Sequence, residues 1–586
     1  MEDNDIISQQ ATEWAKKHLC EDFVFRKYQL EAIATIVMRV LEKVKTQVMN
    51  APTGSGKSLT AIIAAGVLWE YYGKTSYILV SDLSLFAQYE QDLKRYNLPW
   101  GHLKGKDNYV CQRNGNIVSC GECALNMVST TALADKEKAK TLGYHCALDC
   151  EYIRMRNLAI TSPVTVMTYQ LYFIQRNYVA ELFAGMDEVP FGKRDLVICD
   201  EAHKLPDIVQ NHFAPKIPTA VPDFMETLND WAKKNGKKVP NSKCVPDISA
   251  NIRATEDHDD IVELMRKYAN LLADYNELND AIRKQARETK QFKQLARCLN
   301  AGNLARECHC KFDDFFKLVD SLGSCIAVKT DDERETTINC TYEGAMIERF
   351  FHNVSECELL MSATLGDLKM YRTIIGLGKC DDRHYKGIDI PSTFDFSKSP
   401  IYYSDKNPMS FKEKSKSIGP ICEQITEICR VFTNNRGIIQ TGNYENSKKL
   451  LEKIPADIKS RVILYGSAKD KMFALSKFEK SKNGILVGPT LLEGLNFEGD
   501  KCRFAICMKL PYASLANKLV AAKMKLIDKW YNYDLLAKLE QGFGRGIRYD
   551  GDWCINYILD GCFANVLKYS SQMIHRGIKA RLKKLE

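Results

Sequence analysis

The sequence predicts an α/β protein built on two doubly wound parallel sheets. Three observations predict it. The stretch Ala51-Pro52-Thr53-Gly54-Ser55-Gly56-Lys57-Ser58 lies between the β-leaning run Gln47-Val48-Met49 and the apolar helical start Leu59-Thr60-Ala61-Ile62-Ile63. Apolar strand-like runs then alternate with helical patterns as far as Leu196-Val197-Ile198-Cys199 and the acids Asp200-Glu201. A second alternating region, from Gly437 to Leu559, has no glycine-rich phosphate loop of its own.

The first stretch has the strand, glycine loop and helix that a phosphate site needs. Gly54 and Gly56, with Thr53 and Ser55 in the same turn, let backbone N–H groups converge on phosphate oxygens over a helix N-terminus. Lys57 is placed to reach the β- and γ-phosphates and Ser58 to ligate Mg²⁺. Ala51 stands where the general pattern has its first Gly. An ordinary Gly/Ser turn is the bland alternative. Just upstream, Arg26 and Gln29 are three apart, either a polar first helical turn or a pair that holds an adenine edge.

A chain of 586 residues exceeds one core, so three or four domains are expected. With 45% hydrophobic and 27% charged residues it reads as soluble and globular. No apolar run approaches the roughly 18 residues a membrane span needs. Met1-Glu2-Asp3-Asn4-Asp5 is the opposite of a secretory signal. The 21 scattered cysteines argue for a reducing, intracellular compartment rather than a disulfide framework. A net charge of +8 permits nucleic-acid binding without demanding it.

In chain order, a helix is expected from about Lys27 to Val44, a buried strand at 75–81 and a helix at 84–96. Residues 105–150 break the rhythm with Cys111, Cys120, Cys123, Cys146 and Cys150. Strands at 164–167 and 196–199 follow, the latter running into Asp200-Glu201-Ala202-His203. Two carboxylates at a strand's carboxyl end suit a nucleotide site: Asp200 holds Mg²⁺ through water, and Glu201 positions and deprotonates the attacking water. His203 can report nucleotide state to its neighbours.

From 205 to 344 the pattern turns helical and charged. Ile261, Leu264, Tyr268, Leu271, Tyr275, Leu278 and Ile282 recur at helical steps, as in a long hairpin. Lys233-Lys234-Asn235-Gly236-Lys237-Lys238 reads as a solvated charge run, and Cys308-His309-Cys310 as ordinary thiols. A strand at 359–361 runs into the hydroxyls Ser362 and Thr364. The second region offers strands at 437–441, 461–465, 484–488, 503–507 and 555–559. Its contribution to chemistry is Gln541-Gly542-Phe543-Gly544-Arg545-Gly546-Ile547-Arg548, whose arginines, three apart on a helix, can stabilise a transferring phosphoryl group across a cleft.

Taken in order, these stretches resemble the superfamily 2 helicases, and within them the XPD/DinG family of iron–sulfur DNA helicases. The resemblance rests on APTGSGKS at 51–58, DEAH at 200–203, SATL at 362–365, LLEGLNF at 491–497 and QGFGRGIR at 541–548. Arg26 and Gln29 look like that family's adenine-side motif, 105–111 like its approach to the first cluster cysteine, and 150–156 like its last. Glu151 stands where Pro is usual and Asn496 where Asp is common.

The resemblance implies two RecA-like doubly wound parallel-sheet motor domains, with an iron–sulfur insert and a helical arch insert in the first. The first motor would comprise 1–104, 156–204 and 346–380, the iron–sulfur insert 105–155, the arch 205–345 and the second motor 381–586. ATP and Mg²⁺ would lie between the motors. Lys57, Asp200, Glu201, Gln541, Arg545 and Arg548 would be catalytic, and Glu493 would join Arg26, Gln29 and 53–58 around the nucleotide. Cys111, Cys120, Cys123 and Cys150 would hold a 4Fe–4S cluster. Zinc on the same thiolates, free buried thiols, and Cys146 in place of Cys150 remain open on the residues themselves. The family implies a monomeric motor on single-stranded and forked DNA with 5′-to-3′ polarity. An RNA-directed DEAH-type ATPase and a non-unwinding, ATP-switched structural subunit are the rivals.

Overall fold

The structure, a computed structural model, describes residues 2–585 except 53, 113–114, 116, 118–149, 180–188, 290, 323–326, 379–380, 382–383, 394, 468–469, 493–498 and 545–550. Short apolar runs bounded by turn residues become parallel strands, the central ones buried on both faces. They form two seven-stranded sheets. The first runs, from one edge, Tyr385–Asp389, Thr46–Asn50, Cys357–Ser362, Leu196–Asp200, Ser76–Val80, Val164–Thr168 and Gly101–Leu103, parallel throughout. The second runs Val462–Leu464, Ile485–Gly488, Gly437–Gln440, Phe504–Cys507, Ile555–Ile558, Ile401–Tyr403 and Leu582–Lys584, also parallel. Helices cover both faces, as the alternation predicts.

The passage between the sheets differs from the expected boundary at 380/381. Tyr385–Asp389 pairs with Thr46–Asn50, so the chain completes the first sheet before it crosses. The strand sits at an edge, and Tyr385-Lys386-Gly387-Ile388-Asp389 is too polar to announce itself as sheet.

The N-terminal helix Glu2–His18 lies on the loop helix Lys57–Tyr72. Trp14 there presses on Gly66, where an added Cβ would stand 2.2 Å from the indole, so only glycine admits the contact.

Between the DEAH and SATL segments lie helices Leu205–Phe213, Asp223–Lys234 and Val245–Ala254, then the long pair His258–Thr289 and Phe292–Leu322. The pair is the hairpin that the helical spacing predicts. Ile261, Tyr268, Tyr275, Leu278 and Ile282 are buried along it. A three-stranded antiparallel sheet, Lys216–Pro218, Glu335–Cys340 and Ala327–Asp331, stands at its base and was not expected.

Candidate nucleotide site

Gly54 and Gly56 take φ of 83° and 85°, the left-handed region that a glycine loop needs. Gly56 caps the helix Lys57–Tyr72, which directs its free N–H groups into the loop. The loop is braced from below. Gln29 donates to the Gly56 carbonyl at 3.2 Å and to Thr60 Oγ1 at 3.4 Å, and its Oε1 accepts from Arg26 N at 3.0 Å. The Arg26 guanidinium donates to the Gly54 carbonyl. Gln29 is buried beneath the loop, while Arg26 lines the cleft above it. The amide expected at an adenine edge is thus engaged with the loop itself.

Lys57 Nζ lies 3.4 Å from the Ala51 carbonyl, across the mouth of the loop. Facing it, the strand Leu196–Asp200 delivers Asp200, whose Oδ2 accepts from Tyr89 OH at 2.9 Å. Glu201 turns out of the strand at φ 54°, a conformation that a non-glycine side chain adopts only where the surroundings impose it. Two buried neighbours hold the turn: Tyr169 OH donates to the Asp200 carbonyl at 2.9 Å, and Tyr371 OH to that of Ala202 at 2.8 Å.

The two carboxylates divide in character. Burial pushes the Asp200 carboxyl up, and the neighbouring Glu201 charge adds to this. Burial acts on Glu201 too, but the hydrogen bond from His203 and the Lys57 charge outweigh it and hold that carboxyl well below its usual range. Glu201 is therefore the ionised partner. A divalent cation beside Asp200 would draw it back to the charged form as well.

The second sheet closes the cleft. Gln541, on the helix Trp530–Phe543, meets His203 Nε2 at 2.8 Å. With the Gln541 amide donating, the imidazole proton sits on Nδ1. That nitrogen faces Ser362 Oγ at 2.8 Å and Glu201 Oε2 at 3.2 Å. The Ser362 hydroxyl in turn donates to Glu201 Oε2 at 3.3 Å. A continuous polar path thus joins the carboxylate beside the phosphate loop to the opposite wall. The cleft measures about 960 Å³ and is lined by Lys57, Ser58, Asp200, Glu201, His203 and Thr364 from one side. Glu540, Gln541, His575, Arg576 and Arg581 face them from the other.

The structure brings together Arg26, Gly54, Gly56, Lys57, Ser58, Asp200, Glu201 and Gln541 in one cleft. Ser55 belongs to the same loop, and its buried Oγ has no hydrogen-bond partner. Thr53, Glu493, Arg545 and Arg548 lie outside the described residues, and the helix expected to carry both arginines is described only to Phe543. Sequence reasoning missed Tyr89, which reads as core on an apolar helix face, and the C-terminal wall His575–Arg581. His575 Nδ1 lies 2.9 Å from Glu540 Oε1, and its Nε2 faces Asp389 at 3.9 Å.

Of the proposed cluster ligands, Cys111 and Cys150 are described and half-buried, while Cys120, Cys123 and Cys146 lie outside the described residues. Tyr109 and Tyr152 meet edge-on with ring centroids 5.4 Å apart. Each stands two positions from its cysteine, so the insert's two ends leave the first sheet domain side by side. That fits ligands contributed from both ends to one centre. Among the described residues no three His, Cys, Asp or Glu gather as a metal site.

Known proteins resemble the chain in sequence and fold. The helicase C-terminal domain family matches residues 421–577, and the type III restriction enzyme res subunit family matches 22–221. The chain is 26% identical over 214 residues to a probable ATP-dependent helicase of Methanocaldococcus jannaschii, covering 33% of this chain and 31% of that protein. It is 22% identical over 628 aligned positions to the ATP-dependent DNA helicase YoaA of Escherichia coli, covering 90% of each. Among solved structures it is similar to an XPD helicase, with a TM-score of 0.57, 18% identity, and coverage of 96% of this chain and 100% of that one. S. tokodaii Xpd4 aligns with a TM-score of 0.53, 14% identity and the same coverage.

Proposed function

Starting from a chain of the XPD/DinG type of superfamily 2 helicase, we propose that it hydrolyses ATP to move 5′ to 3′ along single-stranded DNA and so parts duplex DNA. The observation that carries this reading is the path from Glu201 through Ser362 and His203 to Gln541, which ties the hydrolytic carboxylate to the opposite motor. The phosphates of ATP sit on the glycine loop, with Lys57 on the outer ones. Glu201 orients the attacking water and takes its proton. Ser58 and Asp200 would hold Mg²⁺, which neutralises phosphate charge. Gln541 would sense the γ-phosphate from across the cleft, and Arg545 and Arg548 would stabilise the charge that develops there. Closure and opening of the cleft would move the two motors alternately along the strand.

The relative YoaA, named a DNA helicase over nearly its full length, supports DNA over RNA. An ionised Glu201 on a complete polar path favours a turning motor over an ATP-switched structural subunit. Cys111, Cys120, Cys123 and Cys150 would hold a 4Fe–4S cluster, which would cross-link a segment too polar to form its own core.

The test is ATP hydrolysis with single-stranded DNA, single-stranded RNA or neither, alongside strand displacement on duplexes tailed at the 5′ or the 3′ end. Stimulation by DNA and opening of the 5′-tailed duplex are expected. Stimulation by RNA alone would overturn the substrate, and stimulated hydrolysis without displacement would favour the structural subunit. In the same anaerobic preparation, iron near four per chain, lost in Cys123→Ser, is expected; stoichiometric zinc without iron would remove the cluster.

A further inference from the structure

The basic loop 233–238 does not stand alone. It begins in the last turn of the helix Asp223–Lys234, which packs on Phe292–Leu322, and it turns at Gly236, φ 61°. Asn235 Oδ1 accepts from Gln285 Nε2 at 3.0 Å, which ties the loop to the far end of the hairpin. Lys234, Lys237 and Lys238 on the loop and Lys284, Arg287 and Arg297 on the hairpin are all exposed around that bond. None of the six makes an ion pair among the described residues; the nearest pair, Lys233 with Asp230, is loose at 3.9 Å. The charges act on common neighbours: besides burial, Cys298 feels both Arg297 and Lys234, and Arg283 feels Arg306 and Arg287 against the opposing Asp280 carboxylate.

Gathering like charges costs Coulomb energy that a polyanion returns. The patch lies on the helical insert, whereas the nucleotide cleft lies between the two sheets, so the phosphates it meets are not those of the nucleotide. Long, flexible lysine side chains suit backbone contacts that ignore sequence.

We propose that this face of the helical insert, where loop 233–238 meets the hairpin, binds the phosphodiester backbone of nucleic acid outside the motor cleft. The backbone comes either from the duplex ahead of the motor or from the displaced strand. The proposal rests on the reading of the chain as a nucleic-acid motor.

The test uses the full chain with Lys234→Gln, Lys237→Gln, Lys284→Gln and Arg287→Gln together, and a companion carrying Arg at the three lysines. Binding is read by fluorescence anisotropy on a single strand, a tailed duplex and a fork, from about 50 to about 200 mM salt. The glutamine variant should bind its patch-dependent substrate about 10–100-fold more weakly, with the salt slope reduced by about 3 to 4. Binding to the single strand, single-strand-stimulated hydrolysis and thermal stability should match the parent, and the arginine companion should bind as the parent does. Loss on both the tailed duplex and the fork assigns the duplex; loss on the fork alone assigns the displaced strand. Unchanged affinity and slope on all three overturns the proposal, as does equal loss on the single strand. Loss of binding to a polyglutamate peptide with nucleic acid unaffected would make the face a site for an acidic protein and overturn it too. A parent that lacks DNA-stimulated hydrolysis but shows the expected loss on duplex would fail the motor reading and keep this one.

Discussion

Each sheet carries an aspartate at the carboxyl end of a central strand, and the two are used differently. Asp560, just past Ile555–Ile558, accepts backbone N–H groups from Met409 at 2.8 Å, Cys562 at 3.0 Å and Leu510 at 3.0 Å. Gln440, at the end of the neighbouring strand but one, does the same for Leu491 and Leu492, both at 2.9 Å. In the first sheet, among the described residues, Asp200 accepts from the Tyr89 hydroxyl and the Glu201 N–H. In the same sheet domain Asn50 Oδ1, Ser55 Oγ and Thr364 Oγ1 are buried with no partner among the described residues. Buried polar groups are ordinarily satisfied, and exceptions gather where chemistry needs spare capacity. Two sheets of one architecture thus differ in how these two aspartates are used: Asp560 closes loops of its own domain, and Asp200 faces the cleft.

The sharpest way to break this contrast is Glu201→Gln. Hydrolysis should fall by about 10³ while nucleotide binding survives, because a general base is removed and the loop is not. Single-turnover hydrolysis beside a fluorescent-nucleotide titration reads both. Retained turnover would place the base elsewhere. Asp560→Ala should do the reverse. It leaves three N–H groups without their acceptor and should destabilise the second motor by about 3 kcal/mol, seen as a lower melting temperature with nucleotide binding intact in the cold. A variant that melts like the parent but no longer hydrolyses ATP would erase the distinction between the two acids.

His575 sharpens the comparison at the seam. Burial alone would lower its pKa, but the Asp389 and Glu540 carboxylates raise it to about 9. Arg576, 3.3 Å from Asp389, is the other charge facing it. A raised folded pKa stabilises fully below the ordinary value of about 6.5 and is lost as pH climbs through about 9. The parent should therefore lose up to about 3 kcal/mol between those limits, and His575→Gln should flatten that part of the pH–stability curve. Identical curves would show that the imidazolium holds nothing together. The smallest effect is expected from Gln541→Ala, which removes one hydrogen bond across the cleft. DNA-stimulated hydrolysis should drop about tenfold with nucleotide binding unchanged; a drop in binding would make Gln541 a ligand rather than a coupler.

Local punctuation made much of this legible. The glycine loop, the paired acids and Ser362 declare themselves because strand, turn and helix signals fall within ten residues of the chemistry. The hairpin declared itself by its three- and four-residue steps. Ile401–Tyr403 and Leu582–Lys584 did not, since three residues show no period and the latter is mostly lysine. Tyr89 was hidden for another reason: its ring belongs to the core and only its hydroxyl to the site. Gln29 reached the loop through contacts 27 and 31 positions away, which no spacing rule contains. The basic loop looked solvated because its companions lie about fifty positions further on, on the hairpin.

The strand Tyr385–Asp389 has a mechanical consequence. Directly after it, Ile390 N donates to the carbonyl of Asn50 at 2.9 Å, and the crossing residues Ile390, Pro391 and Ser392 form part of the cleft wall. The chain therefore leaves the first sheet from the strand that pairs with Thr46–Asn50, the strand that leads into the glycine loop. In the proposed motor, a rotation of the second sheet domain about this crossing would have its pivot beside the glycine loop. Arc length grows with radius, so groups beside the phosphates shift least and the outer rim of the second motor sweeps furthest. The same small angle that would adjust the hydrogen bond at Gln541 would become a long stroke at the far end of the lever.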